Sequence, residues 1–407
     1  MKKLKDLFSS LGPGFIMAAV VLGPGSITTA TKIGATQGYA FLWVVVAAAV
    51  LMIVYTNMST RFGVLHSESI LGAIAKEYGR WFAICIGVSS FLAALCFQFG
   101  NNLGVGIGME SVTGLDAELW PFIFTPGAIV LIFFSKNLYK ALEKVMISMV
   151  MVMIVTFVTN VIFIEPDMVA VMKGFVPHEL SAWDIDQLTA IVGTTFVLNG
   201  ALYQSYLVQN KGWGPADMGK GIRDTNLGII LLAIMSLLII ITAATVLKPL
   251  GIKVNSAADM AIQLELLLGN YAKYIFAFGF IAAAFSSLIV NAVIGGGLLS
   301  DGLGLGKSMD ERFPKLFTVL ILLGGMTIAS YVSKGLGDPV YLLIIAQAFS
   351  MLAVPAIAIG IFSIANNAKV MDKYKNDWPQ NVLGVVGLVI VALLVYSMYH
   401  RIVDYFV

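Results

Sequence analysis

The sequence predicts an all-α polytopic membrane protein with eleven transmembrane helices, of which helices one and six are broken. Composition supports the membrane class, because 59% of the 407 residues are hydrophobic, only 12% are charged and the mean hydropathy is +0.90. Soluble domains are far less apolar than this. Long apolar runs predict the helices, and small or polar residues inside two of those runs indicate the breaks.

Eleven apolar segments approach the length of about 20 helical residues that a bilayer core requires. We place them at about 13–34, 40–62, 82–107, 120–135, 145–164, 188–208, 227–247, 273–299, 314–332, 339–363 and 381–400. They form one predicted transmembrane domain over 1–407, with inverted repeats at about 13–164 and 188–363 and an extra helix at 381–400.

The charged residues predict the orientation. Most of the 25 lysines and arginines fall in loops on the N-terminal side of the spans. Because basic loops stay in the cytoplasm, we predict a plasma (inner) membrane protein with a cytoplasmic N-terminus and an external C-terminus. None of the 23 acidic residues falls within a predicted span, which removes the usual proton relays and hard-cation ligands from the membrane interior. Lys32 remains in the first span, where it either snorkels to the interface or gives the vestibule a positive charge.

Several function classes are excluded. The net charge of +2 gives no reason to expect a nucleic-acid partner, and the sequence contains no phosphate-binding loop that would indicate ATP-driven pumping. Its three histidines and two cysteines show no metal-ligand spacing. We expect no enzymatic activity, no catalytic residue and no cofactor. The expected partners are the lipid bilayer and a small inorganic ion or small solute, while the oligomeric state stays open.

The first predicted break is the Gly-Pro-Gly-Ser motif at residues 23–26, inside the first span. Proline removes a backbone donor and clashes with the preceding turn, and glycine favours non-helical dihedral angles. The freed polar groups are costly in hydrocarbon unless they line a polar cavity or meet neighbouring protein. The motif therefore indicates a transporter's substrate site, and a kink satisfied by neighbouring helices is the alternative.

The sixth span is interrupted by small and polar residues between positions 191 and 200, five spans after the first break. Because five is odd, the second half of the chain would be inverted relative to the first. Two interrupted segments at matching positions of inverted halves are typical of an alternating-access transporter with its site at their junction. Helix packing through small residues is the alternative interpretation.

The motifs, in order and spacing, resemble the Nramp-type divalent-metal transporters. The resemblance is carried by residues 12–14, 23–26, 191–193, 207–209, 223–225, 282–287 and 346–355. It implies a LeuT-type fold of eleven helices, with the substrate between the unwound parts of spans one and six. It also implies that the substrate is a divalent metal cation.

The sequence departs from the family where the family binds its metal. The Asp and Asn of the family's first break are replaced by Gly23 and Ser26, and its Met-Pro-His triplet in span six becomes residues 197–199. Gln98 and Asn101 stand where the family places an Asp and a Glu on its proton route. These replacements remove every formal negative charge and every soft ligand from the implied site.

We therefore predict a carrier of a divalent cation such as Mg²⁺ or Mn²⁺, moved as a hydrated ion with weak or no proton coupling. A carrier of a small anionic or zwitterionic solute is an alternative, because helix N-termini at the breaks favour anions. A non-transporting membrane sensor is another.

The predicted substrate-binding residues are Gly23, Pro24, Gly25, Ser26, Thr194, Thr195, Val197, Asn199 and Gln347. Metal contacts are predicted for Ser26, Thr194 and Asn199. A neutral polar pathway is predicted for Gln98 and Asn101, with interhelical hydrogen bonding as the alternative.

Overall fold

The computed structural model describes residues 12–14, 22–134, 151–177, 185–308, 310–332 and 339–406, and the regular structure within these ranges is helical. The α-helices are α1 Pro24–Gln37, α2 Leu42–Leu65, α3 Ile70–Tyr78, α4 Arg80–Thr113, α5 Pro121–Phe134, α6 Met151–Ile164, α7 Met168–Gly174, α8 Ile185–Thr195, α9 Leu198–Asn210, α10 Met218–Val246, α11 Ala257–Ala261, α12 Glu265–Leu268, α13 Ala272–Leu303, α14 Arg312–Val332, α15 Pro339–Ser350, α16 Val354–Asn366, α17 Ala368–Met371 and α18 Trp378–Phe406. Short 3₁₀ turns lie at Ala117–Leu119, Pro215–Asp217, Ile262–Leu264, Gly269–Tyr271, Met351–Ala353 and Asp372–Tyr374.

Eight helical stretches of the described chain are long and apolar enough to cross a membrane. They are Leu42–Leu65, Arg80–Thr113, Ile185–Asn210, Pro215–Val246, Ala257–Leu303, Arg312–Tyr331, Val340–Asn366 and Trp378–His400. Two further apolar helices are shorter, Ala117–Phe133 and Met151–Ile164. Residues 15–21 of the predicted first span lie outside the described residues. The polytopic helical fold is confirmed, while the count of eleven spans and the boundaries of the two repeats stay predictions.

Four helices form one closely packed body, which we call the scaffold: α4, α5, α13 and α14. Its centre is the pair α4 and α13, of 34 and 32 residues, on which α14 and α5 pack. Small residues allow this approach, since a Cβ atom added at Gly295 would lie 2.4 Å from the Cβ of Ala94. Lipid gives helices no hydrophobic reason to associate, so close contact between small residues stabilises the pair.

A second body, which we call the bundle, consists of α1, α2, α8, α9 and α10. Helix α10 packs on α1 and α2, and α9 packs on α2. Glycine again permits close approach: a Cβ atom added at Gly34 of α1 would lie 2.5 Å from the carbonyl oxygen of Ile240 in α10. Contacts are denser within each body than between them, and α15 lies between the two, against α4 and α8.

The described residues Gly12 and Gly14 are attached to the bundle. The carboxylate of Asp224, in the second turn of α10, accepts hydrogen bonds from the backbone amides of Gly12 at 3.0 Å and Gly14 at 2.7 Å. These bonds fix the described residues before α1 to α10.

Candidate functional site

Helix α1 starts at the predicted break in span one. Gly23 is extended, with φ −86° and ψ −179°, and Pro24 occupies the first helical position. Proline is favoured there because its missing N–H would have no partner within the helix. The break in the first span is therefore confirmed at the residues that the sequence indicated.

The second break lies between α8 and α9, at Phe196 and Val197. Val197 has φ −83° and ψ 85°, which is outside the helical region. This lies within the predicted stretch 191–200 but not at a glycine. Gly193 lies inside α8, where an added Cβ atom would be 2.9 Å from the carbonyl oxygen of Gln347. Its small size therefore serves the packing of α15 on α8.

A small cavity lies where the two breaks face the scaffold. Its volume is about 10 Å³, which is enough for roughly one water molecule. It is lined by Gly23, Gly25, Ser26, Phe97, Asn101, Val197, Ser287, Asn291 and Gln347. The polar side chains in this lining are hydroxyls and amides, and none is a carboxylate, an imidazole or a sulfur ligand. Elsewhere in the described chain, no group of three or more His, Cys, Asp or Glu residues is placed to hold a metal ion.

Gln347, in the last turn of α15, occupies the space between α1 and α4. A Cβ atom added at Gly25 would lie 2.4 Å from its Cδ and Nε2 atoms, and one added at Gly100 would lie 2.7 Å from Nε2. Only glycine leaves room for the amide at these two positions. Gln347 is 2% exposed, so a neutral amide is held beside the N-terminus of α1.

Ser287 and Asn291 bring the scaffold to the cavity. They are four residues apart on α13 and therefore share a face. A Cβ atom added at Gly23 would lie 2.7 Å from the Ser287 hydroxyl and 3.5 Å from Oδ1 of Asn101, which places both oxygens against the first break. Ser287, Asn291 and Phe97 are absent from the residues predicted from sequence. Two polar residues at helical spacing inside the apolar segment 273–299 were the available signal.

Six of the predicted residues line the cavity: Gly23, Gly25, Ser26, Asn101, Val197 and Gln347. Pro24, Thr194, Thr195, Asn199 and Gln98 are not in its lining. Of the three predicted metal contacts, only Ser26 lies at the cavity, and all three stay predictions.

Thr194 and Asn199 lie on the two sides of the second break. The Thr194 hydroxyl donates to the carbonyl of Ile191 at 3.2 Å. The side-chain nitrogen of Asn199 donates to the carbonyl of Ser90 in α4 at 3.0 Å. Asn199 therefore joins the bundle to the scaffold in this arrangement.

Gln98 and Asn101 form one hydrogen-bonded chain. Asn101 Nδ2 donates to Gln98 Oε1 at 2.9 Å, and Gln98 Nε2 donates to the carbonyl of Leu288 in α13 at 2.7 Å. Gln98 thus makes the interhelical bond that was the alternative interpretation, while Asn101 reaches the cavity. The polar pathway stays a prediction.

Charged side chains lie outside the cavity lining. Lys32 is half-buried, and its Nζ lies 5.9 Å from the ring centroid of Tyr341, a cation–π contact. Asp186 and Asp301 are buried within α8 and α13, at 4% and 7% exposure. Both residues lie just outside the spans predicted at 188–208 and 273–299, on helices that extend beyond those boundaries.

Comparison with known proteins agrees with this architecture. The family model described as natural resistance-associated macrophage protein-like, or Nramp, matches residues 14–400. The divalent metal cation transporter MntH of Pectobacterium carotovorum is 23% identical, with 97% of this chain and 95% of that protein covered. The manganese transporter of Eremococcus coleocola superposes with a TM-score of 0.82 at 19% identity, covering 99% and 88% of the two chains. Mhp1, a nucleobase-cation-symport-1 family transporter, superposes with a TM-score of 0.62 at 13% identity, covering 96% and 92%. The chain has the LeuT-type fold that these structures share.

Proposed function

The chain belongs to the Nramp family, and on that premise we propose that it is a secondary transporter that moves a divalent metal cation, such as Mn²⁺ or Mg²⁺, by alternating access. The family consists of membrane transporters and not of enzymes. We place the chain in the plasma (inner) membrane with a cytoplasmic N-terminus and an external C-terminus. The excess of basic residues in the loops on the N-terminal side supports this orientation.

The observation that carries this proposal is the neutral, oxygen-lined cavity at the junction of the two broken helices. Hydroxyl and amide oxygens from Ser26, Asn101 and Ser287 converge there. Oxygen ligands suit Mg²⁺ and Mn²⁺, whereas softer metals prefer the sulfur and imidazole ligands that the lining lacks. Without a carboxylate, the lining does not compensate for complete dehydration, so the ion keeps part of its water shell.

The volume of the cavity also supports an assignment of the conformational state of the transporter. A volume of about 10 Å³ is too small for a hydrated ion, so the arrangement is a closed one and the ion enters when bundle and scaffold separate. Two buried oxygens beside the second break, Thr195 Oγ1 and Asn199 Oδ1, have no hydrogen-bond partner among the described residues. Burying such a group costs about 1–3 kcal/mol, which water or an entering ion would relieve. This supports both residues as part of the open pathway.

Weak or absent proton coupling follows from the same lining. Intramembrane carboxylates are the usual proton relays of transporters. The cavity presents only groups that keep the same charge over the physiological pH range, so the arrival of a cation displaces no proton from its lining.

Uptake into proteoliposomes tests the proposal. We expect saturable uptake of Mn²⁺ and Mg²⁺ by the parent protein. Ser287→Ala removes one oxygen from the cavity and is expected to raise the KM at least about tenfold, because a bond to a charged partner contributes about 1.5–3 kcal/mol. Ser286→Ala is the matched control, since Ser286 is also buried on α13 but lies outside the lining. Uptake of small carboxylates or amino acids, without uptake of either metal, would overturn the proposal.

A further inference from the structure

On the side of the membrane where we place the N-terminus of the chain, the cavity is covered by contacts between α9 and α13. Below Ser287 and Asn291, the face of α13 continues through Ile294, Leu298 and Asp301 at helical spacing. Asn291 and Asp301 are about 15 Å apart along the helix axis. Ile294 and Leu298 are 1% and 0% exposed, so this face is closed by protein from the cavity down to Asp301.

The opposing face of α9 is aromatic. The rings of Tyr203 and Tyr206 stack with their centroids 5.3 Å apart and their planes 14° apart. Tyr203 lies against α13, since a Cβ atom added at Gly297 would be 3.8 Å from its Cε2 atom. The Tyr206 hydroxyl donates to Oδ2 of Asp301 at 2.5 Å, and both residues are buried. A hydrogen bond to a carboxylate therefore joins the bundle to the scaffold at the far end of the closed face.

The other partners of Asp301 belong to the scaffold side. Ser69, at the N-cap of α3, interacts with the same carboxylate, and α3 packs on α4 and α13. Arg80, at the start of α4, donates to the backbone carbonyls of Asp301 at 3.2 Å and Gly302 at 3.4 Å. The end of α13 is thus held in place by α3 and α4, and Tyr206 is the contact that comes from the bundle.

We propose that the Tyr206–Asp301 hydrogen bond is the gate that holds the cavity closed toward the cytoplasm and breaks when the transporter opens to that side. The inference rests on the proposed alternating-access function, in which one body moves against the other. A hydrogen bond to a charged group is stronger than one between neutral groups. Its placement about 15 Å from the cavity separates the gate from the residues that contact the cargo.

A buried reporter residue tests the gate. In a background with Cys85 and Cys96 replaced by serine, Leu298→Cys places a thiol on the closed face, and a membrane-impermeant maleimide is applied from the side of the N-terminus. Tyr206→Phe keeps the ring and removes the hydroxyl, and we expect it to raise the modification rate about tenfold. Asp301→Asn retains an acceptor and should raise the rate less. Because both residues share one bond, the double variant should resemble Tyr206→Phe alone.

Tyr203→Phe is the matched control, because it removes a hydroxyl from the neighbouring stacked ring and leaves the Tyr206–Asp301 bond intact. Its modification rate should equal that of the parent. Unchanged rates in both Tyr206→Phe and Asp301→Asn would overturn the gate, and so would an equal increase in Tyr203→Phe. The melting temperature of each purified variant identifies any that is unfolded, and Tyr206→Phe, which preserves the ring packing, carries the test if Asp301→Asn does not fold.

The accessibility assay needs no substrate, so the gate and the cargo are tested separately. An increased rate in Tyr206→Phe without metal uptake by the parent supports the gate and rejects the proposed cargo. Metal uptake by the parent with unchanged accessibility in the variants supports the cargo and rejects the gate.

Discussion

The two broken helices of this transporter are interrupted by different physical means. The break before α1 is local, since Gly23 is extended and Pro24 fits the first helical position. The break between α8 and α9 falls at Phe196 and Val197, which do not interrupt a helix as glycine and proline do. Phe196 is fully buried, and its ring meets that of Tyr55 edge-on, with centroids 5.3 Å apart. Backbone preference therefore determines the first break, and tertiary packing determines the second.

If packing determines the second break, removing the Phe196 ring should have the largest effect on stability. Phe196→Ala leaves a cavity beside Tyr55 and is expected to lower the free energy of unfolding by about 3–5 kcal/mol. Phe196→Leu keeps an apolar side chain of similar size and should cost less than about 1.5 kcal/mol. Denaturant unfolding in detergent measures both. A loss no larger than that of Ile162→Ala, at a side chain that is 71% exposed, would contradict the packing account.

The first break should respond to a smaller change, a single methyl group. Gly25→Ala puts a Cβ atom 2.4 Å from the Gln347 amide, and such overpacking typically costs about 1–3 kcal/mol. We expect reduced stability and reduced metal uptake, with stability recovered by the second substitution Gln347→Ala. Gly127→Ala is the control, since an added Cβ atom there meets nothing within 4 Å. If Gly25→Ala lowers stability no more than Gly127→Ala does, the result would contradict the close contact between α1 and Gln347.

This contrast also explains what the sequence could predict. Apolar segments and the Gly-Pro-Gly break are local properties, so the helical membrane fold and the start of α1 were predicted correctly. Gly193, one of the small residues within the predicted interruption of span six, makes room for the Gln347 carbonyl and does not cause the break. The break itself depends on a packing partner in α2. The residues around Phe196 in the sequence do not indicate that its ring packs on Tyr55.

The residues of the candidate site divide in the same way, into those that the local sequence indicates and those that depend on helix packing. Gly23, Gly25 and Ser26 were predicted because they surround the proline that starts α1. Ser287 and Asn291 come to the cavity only because α13 packs on α4 and faces the first break. Their contribution depends on the packing of distant helices, which the spacing of polar residues along one span suggests but does not determine.

Both breaks deliver backbone and neutral side chains to the cavity, and neither delivers a carboxylate. Asn101→Asp adds one without changing the size of the side chain. In its protonated form the new carboxyl group donates to Gln98 Oε1 as the amide does now, and burial favours that form. Metal binding would then displace the proton, so the affinity of the variant for Mn²⁺ or Mg²⁺ should rise with pH. A coupling free energy of about 1.4 kcal/mol between the proton and the metal corresponds to a rise of about tenfold between about pH 6 and about pH 8.

The most direct test of the account is to record metal uptake and internal pH in the same proteoliposomes, for the parent and for Asn101→Asp. We expect the parent to take up Mn²⁺ or Mg²⁺ without acidifying the vesicle and independently of an imposed pH gradient, because its cavity has no group that exchanges a proton. The Asn101→Asp variant should gain a dependence on pH. Proton entry that keeps pace with metal uptake in the parent would contradict the central claim, that a neutral cavity between two broken helices carries the cation alone.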